Sequence, residues 1–198
     1  MIERVRGTTV ARVTAIGAGA ALTAAIPSTF GTDGGASELD AVVSEDTVSP
    51  GLAHVLVAPS NAPVVVALLL AACAWFALRH QWWQAVTMLV VPEIALSVNT
   101  WLLKPLWDRQ LDDHLAYPSG HTVHMVAVAT TFACLVAQLR TRIVVATLTV
   151  LALIAITPGM AELGYHHPTD VLGGAAAAAS MSIALCWLSD ALRARSGA

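Results

Sequence analysis

Two short polar segments stand out in a chain that is mostly apolar, and each contains a histidine beside residues that begin helices. The first is "AYPSGHT" at residues 116–122. Ser119 is a preferred N-cap, Gly120 lets an anion approach the backbone, and His121 falls in the first turn of the helix that follows. The segment therefore predicts an anion site at a helix start, with an ordinary serine cap and a solvated histidine as the alternative.

The second segment, "GYHHPTD", places His166 four residues before Asp170, at the start of another helix. A carboxylate that contacts one ring nitrogen of an imidazole fixes its tautomer and leaves the other nitrogen as a nucleophile or base. Lys104 and Arg109 precede the first segment and supply positive charge. Together these residues predict phosphoryl transfer, in which one of the histidines His121 and His166 attacks phosphorus and the other protonates the leaving oxygen.

Metal binding is the alternative chemistry, because neutral imidazoles and a carboxylate also suit zinc. The candidate ligands are His121, His124, His166, His167 and Asp170. Lys104 and Arg109 would repel a dication, and the chain has neither a Cys-rich segment nor a His-Glu-x-x-His motif. We therefore expect no metal and no other cofactor.

The elements that position these residues are predicted by composition. The chain has 198 residues, of which 57% are hydrophobic and only 12% charged, and its net charge is −3. Such a composition is typical of an integral membrane protein, in which apolar segments cross as helices because backbone groups cannot stay unpaired in hydrocarbon. We expect an all-α membrane bundle, with a soluble helical bundle as the alternative, and nothing in the sequence indicates binding to nucleic acid.

Six apolar segments are candidate transmembrane helices within a single domain at 1–198. They lie at residues 10–29, 58–78, 82–103, 120–139, 142–162 and 170–191. The loops expected to matter are an extracytoplasmic loop at 30–51 and two active-site loops at 104–121 and 162–170. An alternative for residues 1–30 is a signal peptide, because basic residues precede a short Ala-rich apolar core.

The positions of the basic residues predict the orientation in the membrane. Eight of them lie on the cytoplasmic side if both termini are cytoplasmic: Arg4, Arg6, Arg12, Arg79, Arg140, Arg142, Arg193 and Arg195. The opposite side holds Lys104, Arg109 and the acidic residues of the first loop, which are Asp33, Glu38, Asp40, Glu45 and Asp46. We expect a bacterial-type plasma membrane protein whose site faces the extracytoplasmic side.

In these motifs the chain resembles the type 2 phosphatidic acid phosphatase (PAP2) superfamily, whose pattern is Lys-x6-Arg-Pro, then Pro-Ser-Gly-His, then Ser-Arg-x5-His-x3-Asp. The second motif is intact at residues 118–121, and Lys104, His166 and Asp170 fit the other two. The first motif is degenerate because Leu111 and Asp112 stand at the Arg-Pro positions. The third is degenerate because Gly159 and Met160 stand at the Ser-Arg positions. Two phosphate-binding arginines are therefore missing, and we expect Arg109 to replace one of them.

The resemblance implies a six-helix membrane lipid phosphatase that needs no metal. We expect it to hydrolyse a phosphomonoester or pyrophosphate of a polyprenyl or glycerolipid through a phosphohistidine at His166. The expected phosphate-binding residues are Lys104, Arg109, Ser119 and Gly120. A non-catalytic relative that binds lipid phosphate is the main alternative. A channel or transporter is less favoured because charged residues do not follow one another along the helices. Glu93, at membrane depth, requires a partner that the sequence does not name.

Overall fold

A computed structural model describes the backbone of residues 2–31, 34–42 and 48–196, and their side chains except those of residues 2–8 and 42. Asp33, Glu45 and Asp46 of the expected acidic loop lie outside the described residues. The side chains of Arg4 and Arg6 lie outside them as well.

The described chain is almost entirely helical and forms an all-α membrane bundle. Its α-helices are α1 (Ile2–Ala25), α2 (Pro50–Val57), α3 (Ala62–Leu78), α4 (Trp82–Val98), α5 (Lys104–Trp107), α6 (Gly120–Leu135), α7 (Leu139–Glu162) and α8 (Pro168–Ser196). Short 3₁₀ turns follow α1 and α2, at Ile26–Thr29 and Ala58–Ser60, and another lies at Asp40–Val42. Each of the six predicted spans is occupied by helix, which confirms the fold class.

Five helical segments in the described part of the chain are long and apolar enough to cross a membrane, and α6 is a shorter sixth. The second predicted span is longer than expected, because α2 and α3 together cover Pro50–Leu78 with a break at Asn61. The third extends to Trp107, since a π-helical turn at Asn99–Leu103 joins α4 to α5. The fourth ends early, at Leu135.

Helix α6 lies at the centre of the bundle and contacts α3, α4, α7 and α8. Its residues from Thr122 to Val128 are all buried. At about 1.5 Å per residue, its 16 residues span roughly 24 Å. Gly120 and His121 at its N-terminus are only half-buried, so this end of the central helix stays accessible.

Helix α8 runs along both α1 and α6. The hydroxyl of Ser180 donates to the Ile16 carbonyl across the α1–α8 contact. Gly19 makes that contact close, because a Cβ there would lie 2.8 Å from the Ala176 carbonyl oxygen. Arg12 pairs with Asp190 at the far end of the two helices. The small residues of α8 therefore let helices approach closely, as expected for membrane helix packing.

One β-hairpin interrupts the helical chain between α5 and α6. Strand β1 (Gln110–Leu111) pairs antiparallel with β2 (His114–Leu115), and Asp112 at the turn has a positive φ of 51°. This hairpin is not among the elements that the sequence predicted. It turns the chain back, and its second strand brings His114 over the start of α6.

Candidate active site

A cavity of about 570 Å³ opens at the end of the bundle where α6 and α8 begin. Segments that are distant in sequence meet around it: the start of α3, the end of the third span, the hairpin, α6 and the α7–α8 connection. Its lining residues are Ser60, Asn61, Ala62, Leu96, Lys104, His114, Gly120, His121, His124, Tyr165 and His166. Four histidines and one lysine thus face a single space.

The N-terminus of α6 provides the amide donors of this cavity. The Ser119 hydroxyl caps the helix by accepting from the Thr122 amide, and the Ser119 amide donates to the Asp170 carbonyl at 3.0 Å. Gly120 and His121 line the cavity, and a helix has no internal partners for its first N–H groups. The expected role of Ser119 therefore changes: it is fully buried, holds the turn in place and does not line the cavity.

Two glycines of α8 are what allow this turn to lie so close to Asp170. A Cβ on Gly174 would lie 2.9 Å from the Ser119 carbonyl oxygen, and one on Gly173 would overlap the Tyr117 ring. The Tyr117 hydroxyl in turn donates to the Thr23 carbonyl of α1. The "VLGG" segment thus fixes the Pro-Ser-Gly-His turn against α8 by close backbone packing.

His121 and His166 face each other with their ring centroids 5.8 Å apart and an interplanar angle of 72°. Tyr165 stacks on His121 at 6.1 Å, with the rings nearly parallel. His114 meets His166 from the other side, with centroids 5.8 Å apart. The structure therefore brings together the two histidines predicted for catalysis and adds a third.

His166 is almost fully buried, and its Nδ1 lies 3.9 Å from Oδ2 of Asp170. This is an ion-pair distance and is longer than a hydrogen bond, and Nδ1 has no hydrogen-bond partner among the described residues. Burial lowers the pKa of His166 to about 2, and the nearby charge of Lys104 adds to the shift. The imidazole is consequently neutral at physiological pH, and its Nδ1 faces Asp170.

Asp170 lies in the first turn of α8 and is buried on all sides. Its Oδ2 accepts from the His167 amide at 2.8 Å, which is the backward contact of a capping box. Its Oδ1 accepts from Arg109 at 2.7 Å. The carboxylate that faces His166 is therefore held by the helix start on one oxygen and by a guanidinium on the other.

Arg109 occupies a different place from the expected one. Its side chain is fully buried, and all five of its N–H groups donate to protein acceptors: the carbonyls of Gly34 and Gly35, the Thr169 hydroxyl and the carboxylates of Asp40 and Asp170. Its guanidinium also stacks on the Phe30 ring at 3.8 Å. A guanidinium with no free donor cannot bind phosphate, and Arg109 does not line the cavity. It supports Asp170 instead.

Lys104, by contrast, lines the cavity, as the sequence predicted. Its ammonium donates to the Leu115 carbonyl of the hairpin, which directs the side chain over Gly120. Among the described residues it is the one lysine or arginine on the cavity wall. The fixed positive charge available to an anion in this space is therefore a single charge.

Residues 99–194 match the PAP2 superfamily, over the region that contains the cavity histidines, Lys104 and Asp170. The chain belongs to the PAP2 superfamily. No curated protein and no solved structure resembles it closely enough to count as a match.

The degenerate PAP2 motifs have a structural explanation. At the Ser-Arg positions, a Cβ on Gly159 would lie 2.9 Å from the Ala53 carbonyl oxygen of α2, so the glycine is already in tight contact. Met160 is fully buried in the apolar core that also contains Val57 of α2. Leu111, at the first-motif arginine position, lies in β1 and does not line the cavity. At both arginine positions of the family pattern, the chain therefore carries an apolar side chain that does not line the cavity.

Two residues of the site, His114 and Asp40, were not predicted from the sequence, and a third, Glu93, was left without a partner. His114 lines the cavity, and its Nε2 is 3.1 Å from the Tyr165 carbonyl oxygen. In the sequence, the only local indication of a turn at this position was the pair of aspartates before His114. Asp40 was predicted only as one of the acidic residues of the first extracytoplasmic loop. Glu93 has its partner in His124, whose Nε2 lies 3.1 Å from its carboxylate.

The alternative metal site has no geometric support in the described part of the chain, where no group of three His, Cys, Asp or Glu side chains converges as ligands would. His124 is paired with Glu93, and Asp170 is directed at Arg109. Of the three remaining candidates, His167 does not line the cavity, whereas His121 and His166 present their rings to a shared open space. That arrangement suits a substrate between them.

Proposed function

We propose that this PAP2 superfamily member is a membrane lipid phosphatase that works through a phosphohistidine on His166. One observation carries the proposal. The rings of His121 and His166 face each other at the cavity with their centroids 5.8 Å apart, and the buried His166 has its Nδ1 toward the Asp170 carboxylate. A phosphoryl group placed between them has a nucleophile on one side and a proton donor on the other, which is what displacement at phosphorus requires.

In the first step, Nε2 of His166 forms a bond to phosphorus while the bond from phosphorus to the ester oxygen breaks. His121 gives its proton to that oxygen, and the lipid alcohol leaves. Asp170 stabilises the positive charge that develops on the His166 ring. In the second step, His121 takes a proton from water as the water oxygen attacks phosphorus, the N–P bond breaks, and inorganic phosphate is released.

Binding of the phosphate oxygens falls to Lys104 and to the amides of Gly120 and His121. The dipole of α6 adds to their effect, because anions are stabilised at helix N-termini. With one fixed cation on the wall, a phosphomonoester is better matched in charge than a pyrophosphate, which carries more negative charge. We therefore expect monoesters to be the better substrates.

A lipid substrate is supported by an apolar groove of about 510 Å³ between α3, α6 and α7. Its lining includes Pro59 at one end and Trp75 at the other, with Met125, Phe132 and Leu148 between them. Pro59 is next to Ser60, which lines the polar cavity. A hydrocarbon chain lying in this groove would leave its phosphate at the histidines, on the face that we assign to the extracytoplasmic side.

The second candidate function is binding of lipid phosphates without turnover. It is favoured by the same shortage of cations: Arg109 is fully engaged, and the two family arginines are absent. Fewer charge-assisted contacts weaken transition-state binding in particular, since charge on the phosphoryl oxygens must be stabilised there.

The experiment that separates the two is phosphate release by the purified protein in detergent, with chelator present. The substrates are polyprenyl monophosphate, polyprenyl pyrophosphate, phosphatidic acid and phosphatidylglycerol phosphate. His166→Ala is the inactive control. Arg140→Ala, at an exposed residue far from the cavity, controls for the effects of substitution and purification in detergent. Release that disappears only in His166→Ala supports the phosphatase, whereas lipid phosphate that binds equally to all three proteins without release supports the binder.

A further inference from the structure

The loop between α1 and α2 contributes a buried carboxylate to the site. Asp40 is 4% exposed and lies beneath the start of α8. Its Oδ1 accepts from the Thr169 amide at 2.9 Å, and its Oδ2 accepts from Arg109 at 3.0 Å and from Ser37 at 2.8 Å. We propose that Asp40 is a positioning residue for the proposed phosphatase reaction: it holds Arg109 against Asp170 and keeps one net negative charge beside His166.

The geometry fixes a chain of contacts from the loop to the nucleophile. Asp40 binds one terminal nitrogen of Arg109, and the other terminal nitrogen binds Asp170 at 2.7 Å. Thr169 joins the same set, because its hydroxyl accepts from Arg109 and donates to Asp40. Asp170 then faces Nδ1 of His166. A change at Asp40 therefore reaches His166 through two side chains without touching the cavity.

The charges of the three buried groups explain why the second carboxylate is needed. Arg109 by itself would cancel the charge of Asp170, and a neutral pair would do little to stabilise a positive His166 ring. With Asp40 ionised, the sum over Asp40, Arg109 and Asp170 is one negative charge. Burial by itself raises the pKa of Asp40, but hydrogen bonds from the Ser37 and Thr169 backbone, from the Thr169 hydroxyl and from Arg109 outweigh it and lower the pKa to about 2. Asp40 is thus ionised at neutral pH.

The test uses the full-length protein in detergent and three variants: Asp40→Asn, Arg109→Gln and the double variant. Asp40→Asn makes the buried set neutral, so kcat falls about tenfold or more while KM changes little, because Asp40 does not touch substrate. Arg109→Gln leaves two neighbouring buried carboxylates that together take up one proton, so Asp170 no longer carries a full charge beside His166 and kcat falls as well. In the double variant Asp170 is the one charged group of the set and keeps its full charge, so the kcat of this protein exceeds that of both single variants.

Glu38→Gln is the matched control, because Glu38 is an exposed acid two residues before Asp40 in the same loop. It removes an equal charge and should leave kcat at the wild-type value. Size-exclusion elution and helical circular dichroism show whether each variant remains folded. If Asp40 only fastened the loop, the two single losses would add in free energy and the double variant would be the slowest protein. That outcome, or a kcat for Asp40→Asn equal to that of Glu38→Gln, would overturn the proposal.

A second readout distinguishes this proposal from the function on which it rests. Orthovanadate resembles the transition state of phosphoryl transfer, and its affinity can be measured whether or not any lipid is hydrolysed. Vanadate that binds to the wild type and binds tenfold or more weakly to Asp40→Asn supports the role of Asp40, even if no substrate turns over and the phosphatase proposal fails. Equal affinity for the two proteins, or no binding to the wild type, refutes it.

Discussion

Replacing Lys104 by methionine tests how the cavity binds phosphate. The change keeps the length of the side chain and removes the single fixed cation on the cavity wall. Two unit charges about 4 Å apart interact by about 4 kcal/mol at the effective dielectric of a partly open protein site. Lys104 is partly exposed and must shed water to bind an anion, so we expect about half of that interaction to be realised. A loss of about 2 kcal/mol corresponds to a fall of roughly thirtyfold in kcat/KM.

The assay is phosphate release from a polyprenyl monophosphate over a range of substrate concentrations. Lys104→Arg should recover much of the activity because it restores the charge, whereas Arg140→Met should match the wild type. A fall in kcat/KM of less than threefold in Lys104→Met would refute the reasoning. It would mean that the α6 amides and the histidines bind phosphate without a fixed cation.

Three further predictions concern stability. Arg109→Ala leaves two buried carboxylates without their cation and should lower the free energy of unfolding by about 3–5 kcal/mol. The exposed Arg140→Ala should cost less than about 0.5 kcal/mol. Equal small losses for the two variants in a denaturation titration would contradict the buried network. Gly174→Ala should lower the free energy of unfolding by about 1–3 kcal/mol, because the added Cβ meets the Ser119 carbonyl. Gly17→Ala should not destabilise the protein, because a Cβ at Gly17 has no neighbouring atom within 4 Å. Thermal unfolding of the two variants in the same detergent provides the comparison. The lowered pKa of His166 means that the unfolded chain takes up a proton near pH 6.5 that the folded chain takes up only near pH 2. The stability that the neutral His166 contributes is therefore present above pH 6.5, and it falls by about 1.4 kcal/mol per pH unit below pH 6.5. The wild type should consequently lose more stability between pH 6 and pH 5 than His166→Asn does.

Much of the fold followed from composition and local pattern. Apolar segments of about 20 residues have few alternatives to helix in a membrane, so the six spans could be placed to within a few residues at most ends. The start of α8 was also predictable, because Pro168 and Asp170 are helix-start residues that act on neighbours within a turn. His166 and Asp170 come together for the same local reason.

The parts that could not be predicted depend on contacts between distant segments. Arg109 was expected at the phosphate because the sequence shows its charge but not its partners, and the nearest of its carboxylates is 61 residues away in the chain. Asp40 is 69 residues from Arg109, and nothing near it in the sequence distinguishes it from Glu38. The hairpin that carries His114 has two residues in each strand, which is too short for a periodic signal.

The sequence by itself therefore determined the membrane helices, the Pro-Ser-Gly-His turn and the pairing of His166 with Asp170, because each depends on composition or on residues within four positions. Only the tertiary structure decided which cation faces the cavity and which is used to hold Asp170. A buried charge must find its partners wherever the folded chain brings them, and those partners lie on separate elements that meet only once the helices have packed.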